Sequence, residues 1–479
     1  MGATYLNLRG AQFLYTRTEK NMKTILIPIH DGTITKNLLR TDFLKLLAQD
    51  NNVKIVLLLN HADEDAYEKE FGIPGKVIIE RAKVYNTKDK VELIFGGLFK
   101  HSIPTTFMKI RQIDWYKNEG KYLLYYSSSL LRLLGRFTVW KKFLFLVNYL
   151  EPIDLKVKTI YQKWQPDVIF APTMVSRVEV ALMRLGRRDK KVVIGMTKSF
   201  DNLTSKAFLR VYPDVLIVPN ETNKKEAVEL YNFPIERVAV TGICQYDRYV
   251  TSDILELKSS FFTNLGLNPS KKTILYAPAG DWMNATDHEV LTEILKWTVD
   301  GTLPNTQVLL RLHPTYESQT EKLEGHPNLV IERPGKHFGD LKWYEFEEAD
   351  VRHLASSLSY ADVVINTGST LMIEAAIFDT PVIALGFDGY TKKDYEHSVV
   401  RYYDREHLVP VMHTGGVRLV TSFDSLRSTI LEYFDNPHID SEGRKKVVEK
   451  VCYKMDGKSC LRTAEVVLQS IRSTASDSD

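Results

Sequence analysis

The stretch Val363-Val-Ile-Asn-Thr-Gly-Ser-Thr-Leu-Met-Ile-Glu-Ala-Ala376 decides the fold. An unbroken apolar run is the mark of a strand buried on both faces of a parallel sheet. The run ends at glycine and two hydroxyl residues, then resumes with helical spacing. Gly368 lets the backbone approach a ligand closely, and Ser369 and Thr370 offer hydroxyls. The unpaired N–H groups where a helix starts attract an anion. No lysine follows, so this is not a Walker A loop. Glu374, one turn on, is placed to bond a ribose hydroxyl. An ordinary Ser/Thr cap before a solvated glutamate has the same residues, so the context must decide.

Working outward, the same strand-then-helix unit recurs. Apolar runs lie at 24–29, 53–59, 167–172, 192–195, 215–219 and 237–241, then at 273–277, 307–312 and 381–385. Helical spacing appears at 37–48, 221–231, 289–297, 351–359, 371–378 and 459–471. Such alternation predicts an α/β chain of two Rossmann-like, doubly wound domains facing a cleft. The expected division is an extension at 1–21, a first domain at 22–250, a polar linker at 251–271, a second domain at 272–455, and a C-terminal helix and tail at 456–479. No internal repeat of 20–50 residues appears.

Composition limits the function classes. With 44% hydrophobic and 26% charged residues, the 479-residue chain is globular rather than disordered. Lys plus Arg number 63 against 60 Asp plus Glu, which argues against a nucleic-acid binder. Three cysteines without a CxxC pair make neither a disulfide framework nor a cysteine zinc site, so a cytoplasmic setting is expected. No apolar run is long enough to span a bilayer, and no signal peptide is apparent.

In open α/β sheets ligands bind beyond the carboxyl ends of strands. Arg311-Leu-His-Pro314 ends one such strand and aims His313 at the same crevice as the glycine loop, to meet a phosphate or a leaving group. Tyr276-Ala-Pro-Ala-Gly-Asp281 ends another and supplies Gly280. In the first domain, His30-Asp31-Gly32-Thr33 and Ser199-Phe-Asp-Asn-Leu-Thr204 follow strands. His30, Asp31 and Asp201 are therefore candidates to deprotonate an acceptor hydroxyl, although Asp and Asn also favour turns by bonding their own backbone. The stretch Gly386 to Arg405, with Asp388, Tyr390, Lys392 and His397, is expected to face the donor.

From Lys100 to Leu150, nine basic residues stand against two acidic ones, interleaved with Trp115, Tyr122, Tyr126, Phe137, Trp140 and Phe143. A basic aromatic helix of this kind can lie in an anionic membrane surface. A helix pair packed on a core with a solvated basic face is the plainer reading.

The order Tyr276-Ala-Pro, Arg311-Leu-His-Pro, Asn366-Thr-Gly-Ser-Thr-(x)3-Glu-Ala-Ala, then Thr380-Pro-Val-Ile-Ala384 resembles GT-B glycosyltransferases. Within that fold it is similar to the CDP-glycerol glycerophosphotransferase and UDP-N-acetylglucosamine 2-epimerase group. Asp456-Gly-Lys-Ser459 before a helix with Arg462 looks like the end of CDP-glycerol transferases, and Ser199-Phe-Asp-Asn202 is similar to a Ser-Trp-Asp-Asn element of bacterial surface-glycan transferases. The resemblance spans most of 22–471. It implies a second domain that holds the donor, with Gly368, Ser369 and Thr370 at the diphosphate, Glu374 at the ribose and His313 at the phosphates or the leaving group; Thr367, Arg311 and Gly280 are donor-side candidates from their place in the same loops. It implies no bound metal and no cofactor, with helix ends and side chains stabilising the leaving group.

Epimerases of the group carry Asp-Ser-Gly-Gly and paired glutamates in this loop, and glycerophosphotransferases carry Asp-Tyr-Ser-Ser. The reading therefore ranks first a metal-independent transfer of a sugar from a nucleotide-diphosphate donor to a hydroxyl of a cell-surface glycan or lipid-linked acceptor. Glycerophosphate transfer, epimerisation and a non-catalytic role in glycan assembly are the alternatives.

Overall fold

The computed structural model describes residues 22–59, 64–81, 90–206, 209–281, 283–316, 318–320, 323–338 and 340–476; the expected extension at 1–21 lies outside them. Seven strands form the first sheet: β1 Lys23–Ile29, β2 Val53–Leu59, β3 Val77–Arg81, β4 Val168–Ala171, β5 Val192–Met196, β6 Val215–Val218 and β7 Val238–Val240. Their order is β3-β2-β1-β4-β5-β6-β7, and every pairing is parallel. The second sheet holds β8 Lys272–Ala277, β9 Thr306–Arg311, β10 Leu329–Glu332, β13 Val363–Asn366, β14 Val382–Leu385 and β15 Arg418–Val420. Its order, β10-β9-β8-β13-β14-β15, is again all parallel. A short antiparallel hairpin, β11 Lys336–Phe338 with β12 Asp340–Glu345, stands apart.

Both sheets are buried on their two faces, as the apolar runs require. In β1, Leu26 enters one core while Ile25, Ile27 and Ile29 enter the other. In β8, Leu275 and Ile274 part in the same way. Burying one such side chain contributes about 1.5–3 kcal/mol. Both domains also pin their central strand with the same device. Asp167 accepts from Thr24 N and pairs with Lys23, while Asp362 accepts from Thr273 N and pairs with Lys272.

Strand order reverses between β1 and β4, and again between β8 and β13. A crevice opens at each reversal. The loops after β1, β8 and β13, which carry His30, Gly280 and Gly368, therefore lie at the two crevices.

The expected linker at 251–271 contains a helix, Lys258–Leu265, whose Phe261 and Phe262 join the second domain's core with Leu358. The last helix, Ser459–Ser476, returns to the first domain. Its Cys460, Ala464, Val467 and Ile471 enter the core beside β1, and Asp247 accepts from Ser459 N and Cys460 N at its start. The expected helix at 37–48 is broken. A π-helical turn, Thr35–Leu39, ends before Thr41, whose hydroxyl caps a new helix at Asp42–Ala48.

Candidate active site between the two domains

A cavity of about 180 Å3 lies above β8, β9 and β13. Arg311, His313, Ser369, Thr370 and Glu374 line it from the second domain, and Lys36 reaches it from the first. Gly368 has φ +59°, a left-handed conformation that strains any residue with a Cβ. Its N–H donates to Tyr403 Oη at 3.2 Å, and Ser369 N donates to Asn366 Oδ1 at 3.3 Å. The helix that follows, Leu371–Ile377, is only seven residues long. Attraction for an anion therefore falls mainly on the nearby cations rather than on a helix dipole.

Lys36 and Arg311 supply that charge. Burial pushes the Lys36 ammonium down from its usual value, with Glu374 and Asp350 opposing and Arg311 adding to the shift. Lys36 Nζ sits 4.7 Å from the Phe346 ring centroid. Arg311 is buried and donates to Glu332. His313 is held near pKa 4 by burial and by Arg333, so its ring is neutral at pH 7. Its Nδ1 accepts from Thr315 N at 3.0 Å, which puts the proton on Nε2. His313 thus presents a neutral donor to the cavity. Glu374 is buried and accepts from Tyr249 Oη at 3.1 Å and Tyr246 Oη at 3.5 Å.

Two expected donor-side residues work from beneath. Thr367 is fully buried, and its hydroxyl donates to Asp287 Oδ1 at 3.3 Å. Asp287 also accepts from Ala279 N, Asn284 and Tyr276, while burial pushes its carboxyl up to about 7. This network ties the loop after β8 to the loop after β13. Gly280, at φ +87°, closes its own turn by accepting from Met283 N and Asn284 N, and does not line the cavity.

Across the cleft, His30 stands between two carboxylates. Its Nδ1 is buried without a hydrogen-bond partner, 3.7 Å from Glu179 Oε2, and its Nε2 is 3.6 Å from Asp31 Oδ2. Glu179 is fully buried and accepts from Thr173 N, Thr173 Oγ1, Val175 N and Ser176 N. Burial alone would raise the Asp31 carboxyl. Lys198 at 2.7 Å, His30 and Ile34 N together hold it below its ordinary value. Asp201 meets the same opposition: burial is outweighed by Lys206 at 2.8 Å, His407 and Ser199, which hold it far below the carboxylate range. His30 and Asp31 thus share one site, whereas Asp201 lies against the second domain near His407.

Lys36 and Glu179 were not among the residues singled out from sequence. Lys36 is one turn beyond Thr33 of the quoted loop. Glu179 closes a Ser176-x-x-Glu capping box, a readable signal for a helix start. Of the stretch 386–405, Asp388 turns inward and accepts from Val399 N, and Tyr402 and Tyr403 pack against the Gly368 loop.

Comparisons with known proteins agree with this architecture. A family described as CDP-Glycerol:Poly(glycerophosphate) glycerophosphotransferase matches residues 179–469, more than half of the chain. Teichoic acid ribitol-phosphate polymerase TarL of Staphylococcus aureus is 25% identical over 270 residues, which are 55% of this chain and 42% of that protein. The chain therefore spans less than half the length of this curated relative. Among solved structures, UDP-GlcNAc 2-epimerase from Neisseria meningitidis bound to UDP-GlcNAc superposes with a TM-score of 0.54 at 12% identity, covering 93% of this chain and all of that one. A putative UDP-N-acetylglucosamine 2-epimerase from Listeria monocytogenes gives 0.53 at 13%, covering 96% and 98%. At such identity these two establish the GT-B fold and nothing finer.

Proposed function

The chain belongs to the CDP-glycerol:poly(glycerophosphate) glycerophosphotransferase family and is a transferase enzyme; from that premise we propose that it moves an alditol phosphate from a CDP-linked donor to a hydroxyl at the end of a cell-surface polymer. The sequence reading ranked a nucleotide sugar first and this chemistry second, and the family match reverses that order. Gly368, in place of a hydroxyl residue, does not remove the chain from the family.

The observation that carries the reading is the cleft itself. The cavity is edged by Lys36, Arg311 and the Nε2–H of His313, and His30, at the carboxyl end of β1 in the first domain, stands beside the buried Glu179. In the proposed step the acceptor oxygen attacks the phosphorus that bears the alditol. The bond to the second phosphate breaks, and CMP leaves with the electron pair. His30 Nε2 takes the hydroxyl proton, and the Glu179 carboxylate, 3.7 Å from Nδ1, favours the imidazolium that forms. Asp31 and Asp201 are poor bases here, because a carboxylate held low by a lysine scarcely binds a proton at neutral pH. Lys36, Arg311 and His313 offset charge on the departing phosphate. Ser369 and Thr370 bond its oxygens, and Glu374 receives the ribose.

The protein is further proposed to work at an anionic membrane surface. In the basic segment, helices Tyr122–Leu134 and Thr138–Asn148 leave Leu123, Tyr126, Leu130, Val139 and Leu146 exposed beside Arg136 and Lys142. So large an apolar patch rimmed by cations suits lipid headgroups over acyl chains. Among the described residues no helix is long and apolar enough to cross a membrane.

The test is a donor panel of CDP-glycerol, CDP-ribitol, UDP-N-acetylglucosamine and UDP-glucose with an alditol-phosphate primer. CMP release with primer extension supports the reading. UDP release from a sugar donor alone restores nucleotide-sugar transfer, and no turnover with any donor rejects both.

A further inference from the structure

Among the described residues, buried arginines are matched to acceptors with one exception. Arg177 and Arg210 bind Glu151, Arg311 binds Glu332, Arg401 binds Asp114, and Arg444 binds Asp379. Arg184 donates to the carbonyls of Glu151 and Tyr149. Arg405 is 6% exposed, yet its Nε and Nη2 are buried with no hydrogen-bond partner, and among the described residues no carboxylate pairs with it. A buried guanidinium without an acceptor is costly, because desolvation is not repaid by a counter-charge.

Among the described residues no acceptor lies within hydrogen-bond distance of these two nitrogens, although the Asp114 and Asp201 carboxylates act on the guanidinium through space. The Arg405 guanidinium lies 4.1 Å from the Tyr402 ring centroid and 5.0 Å from that of Phe107. Arg111, on helix Thr106–Gln112 of the first domain, lies 5.7 Å from the same Phe107 ring. Two guanidiniums, one from each domain, therefore converge on one aromatic ring. Tyr402, whose ring lies beneath Arg405, abuts the glycine loop through its Cβ, which would be 3.8 Å from a Cβ placed on Gly368. His407 closes the far side, with its ring 5.8 Å from Phe107 and 5.7 Å from Phe200.

We propose that Arg405 and Arg111 form a phosphate-binding site in the seam between the two domains, separate from the cavity over Ser369. The forked N–H groups of an arginine match phosphate oxygens in pairs, and a doubly charged group would supply the acceptors that Arg405 lacks, with Arg111 adding positive charge beside it. Burial and the neighbouring Arg111 push the Arg405 guanidinium down to about 10, as expected of a cation kept waiting for an anion. The site rests on the transferase reading in one respect: its phosphate is carried by a substrate, either the donor diphosphate or the phosphodiester end of the acceptor.

The experiment titrates the full chain and its Arg405→Gln and Arg111→Gln variants with inorganic phosphate, with CDP and with a glycerol-phosphate oligomer, by calorimetry and thermal melting. Inorganic phosphate needs no nucleotide site; it is expected to raise the melting temperature of the unaltered chain and to lose that effect in Arg405→Gln. A loss of about tenfold or more in oligomer affinity, with CDP binding intact, identifies the acceptor phosphate; the reverse identifies the donor. A chain that binds phosphate through Arg405 but ignores CDP would keep this site and sink the CDP reading. The proposal is overturned if both variants keep the phosphate effect and all three affinities. Should Arg405→Gln fail to fold, the half-buried Arg111 decides alone by the same measurements.

Discussion

His353 Nε2 lies 2.6 Å from Glu332 Oε2, and the other oxygen of that carboxylate accepts from Arg311 at the edge of the donor cavity. His353 Nδ1 is itself 3.0 Å from Glu256. The imidazole therefore stands between two carboxylates, one of which holds a cavity arginine in place. The hydrogen bond that His353 donates to Glu332 raises its pKa above the ordinary 6.5, against the opposing effect of burial. A raised folded-state value means stability that is complete below about 6.5 and lost as pH rises through the folded value. We expect His353 to make the melting temperature fall with pH above 6.5, and this slope to become shallower in His353→Gln. That variant should also lose about 1–3 kcal/mol near pH 6. If the two pH profiles run parallel, the pair does not contribute as argued.

The base on the acceptor side can be ranked by substitution. His30→Asn should lower kcat about 100-fold or more while donor KM changes little. Glu179→Gln should lower kcat by less, because the ring remains but loses the carboxylate that favours its imidazolium. Asp201→Asn and Asp31→Asn should act mainly on stability, since each carboxylate is bound to a lysine. Steady-state kinetics on all four separates these outcomes. A larger kcat loss in Asp31→Asn than in His30→Asn would transfer the role of base to the aspartate.

Much of this site was legible in the sequence where one loop carries the signal. Asn366 to Thr370 declared itself because buried strand, glycine and hydroxyls are contiguous, and Arg311 to Pro314 did so for the same reason. The broken helix after Thr33 was also readable in principle, since Thr41-Asp42 is an N-cap signal within an otherwise periodic run. Five strands, β3, β10, β11, β12 and β15, escaped because each is short and lies beside or within charged residues. What no local pattern holds is contact across the cleft. Lys36 meets Glu374 and Arg111 meets Arg405 only after two domains dock, and spacing along the chain carries no trace of that.

The basic insertion makes a separate expectation. Vesicles containing anionic lipid should carry the protein to the top of a flotation gradient at low salt, and neutral vesicles should not. Arg136→Glu with Lys142→Glu should abolish flotation through charge, and Leu123→Ser with Leu146→Ser through lost apolar contact. Flotation that ignores both pairs would assign the exposed apolar face to a protein partner instead.

Lys36 offers the sharpest test of the donor cavity, because it alone of the cavity's cations belongs to the first domain. If it meets the diphosphate, Lys36→Met should weaken CDP by about tenfold and leave cytidine unchanged, since cytidine has no phosphate to lose. Ser369→Ala with Thr370→Ala should show the same selectivity with a smaller loss, as neutral hydroxyls give weaker bonds than an ammonium. Burial lowers the Lys36 pKa, so its proton leaves below the usual 10.5. CDP affinity should therefore begin to fall below that pH in the unaltered chain and stay level in Lys36→Met. Equal losses for CDP and cytidine would mean that the lysine supports the base or ribose side of the cavity. No loss for either would leave it as packing against Phe346.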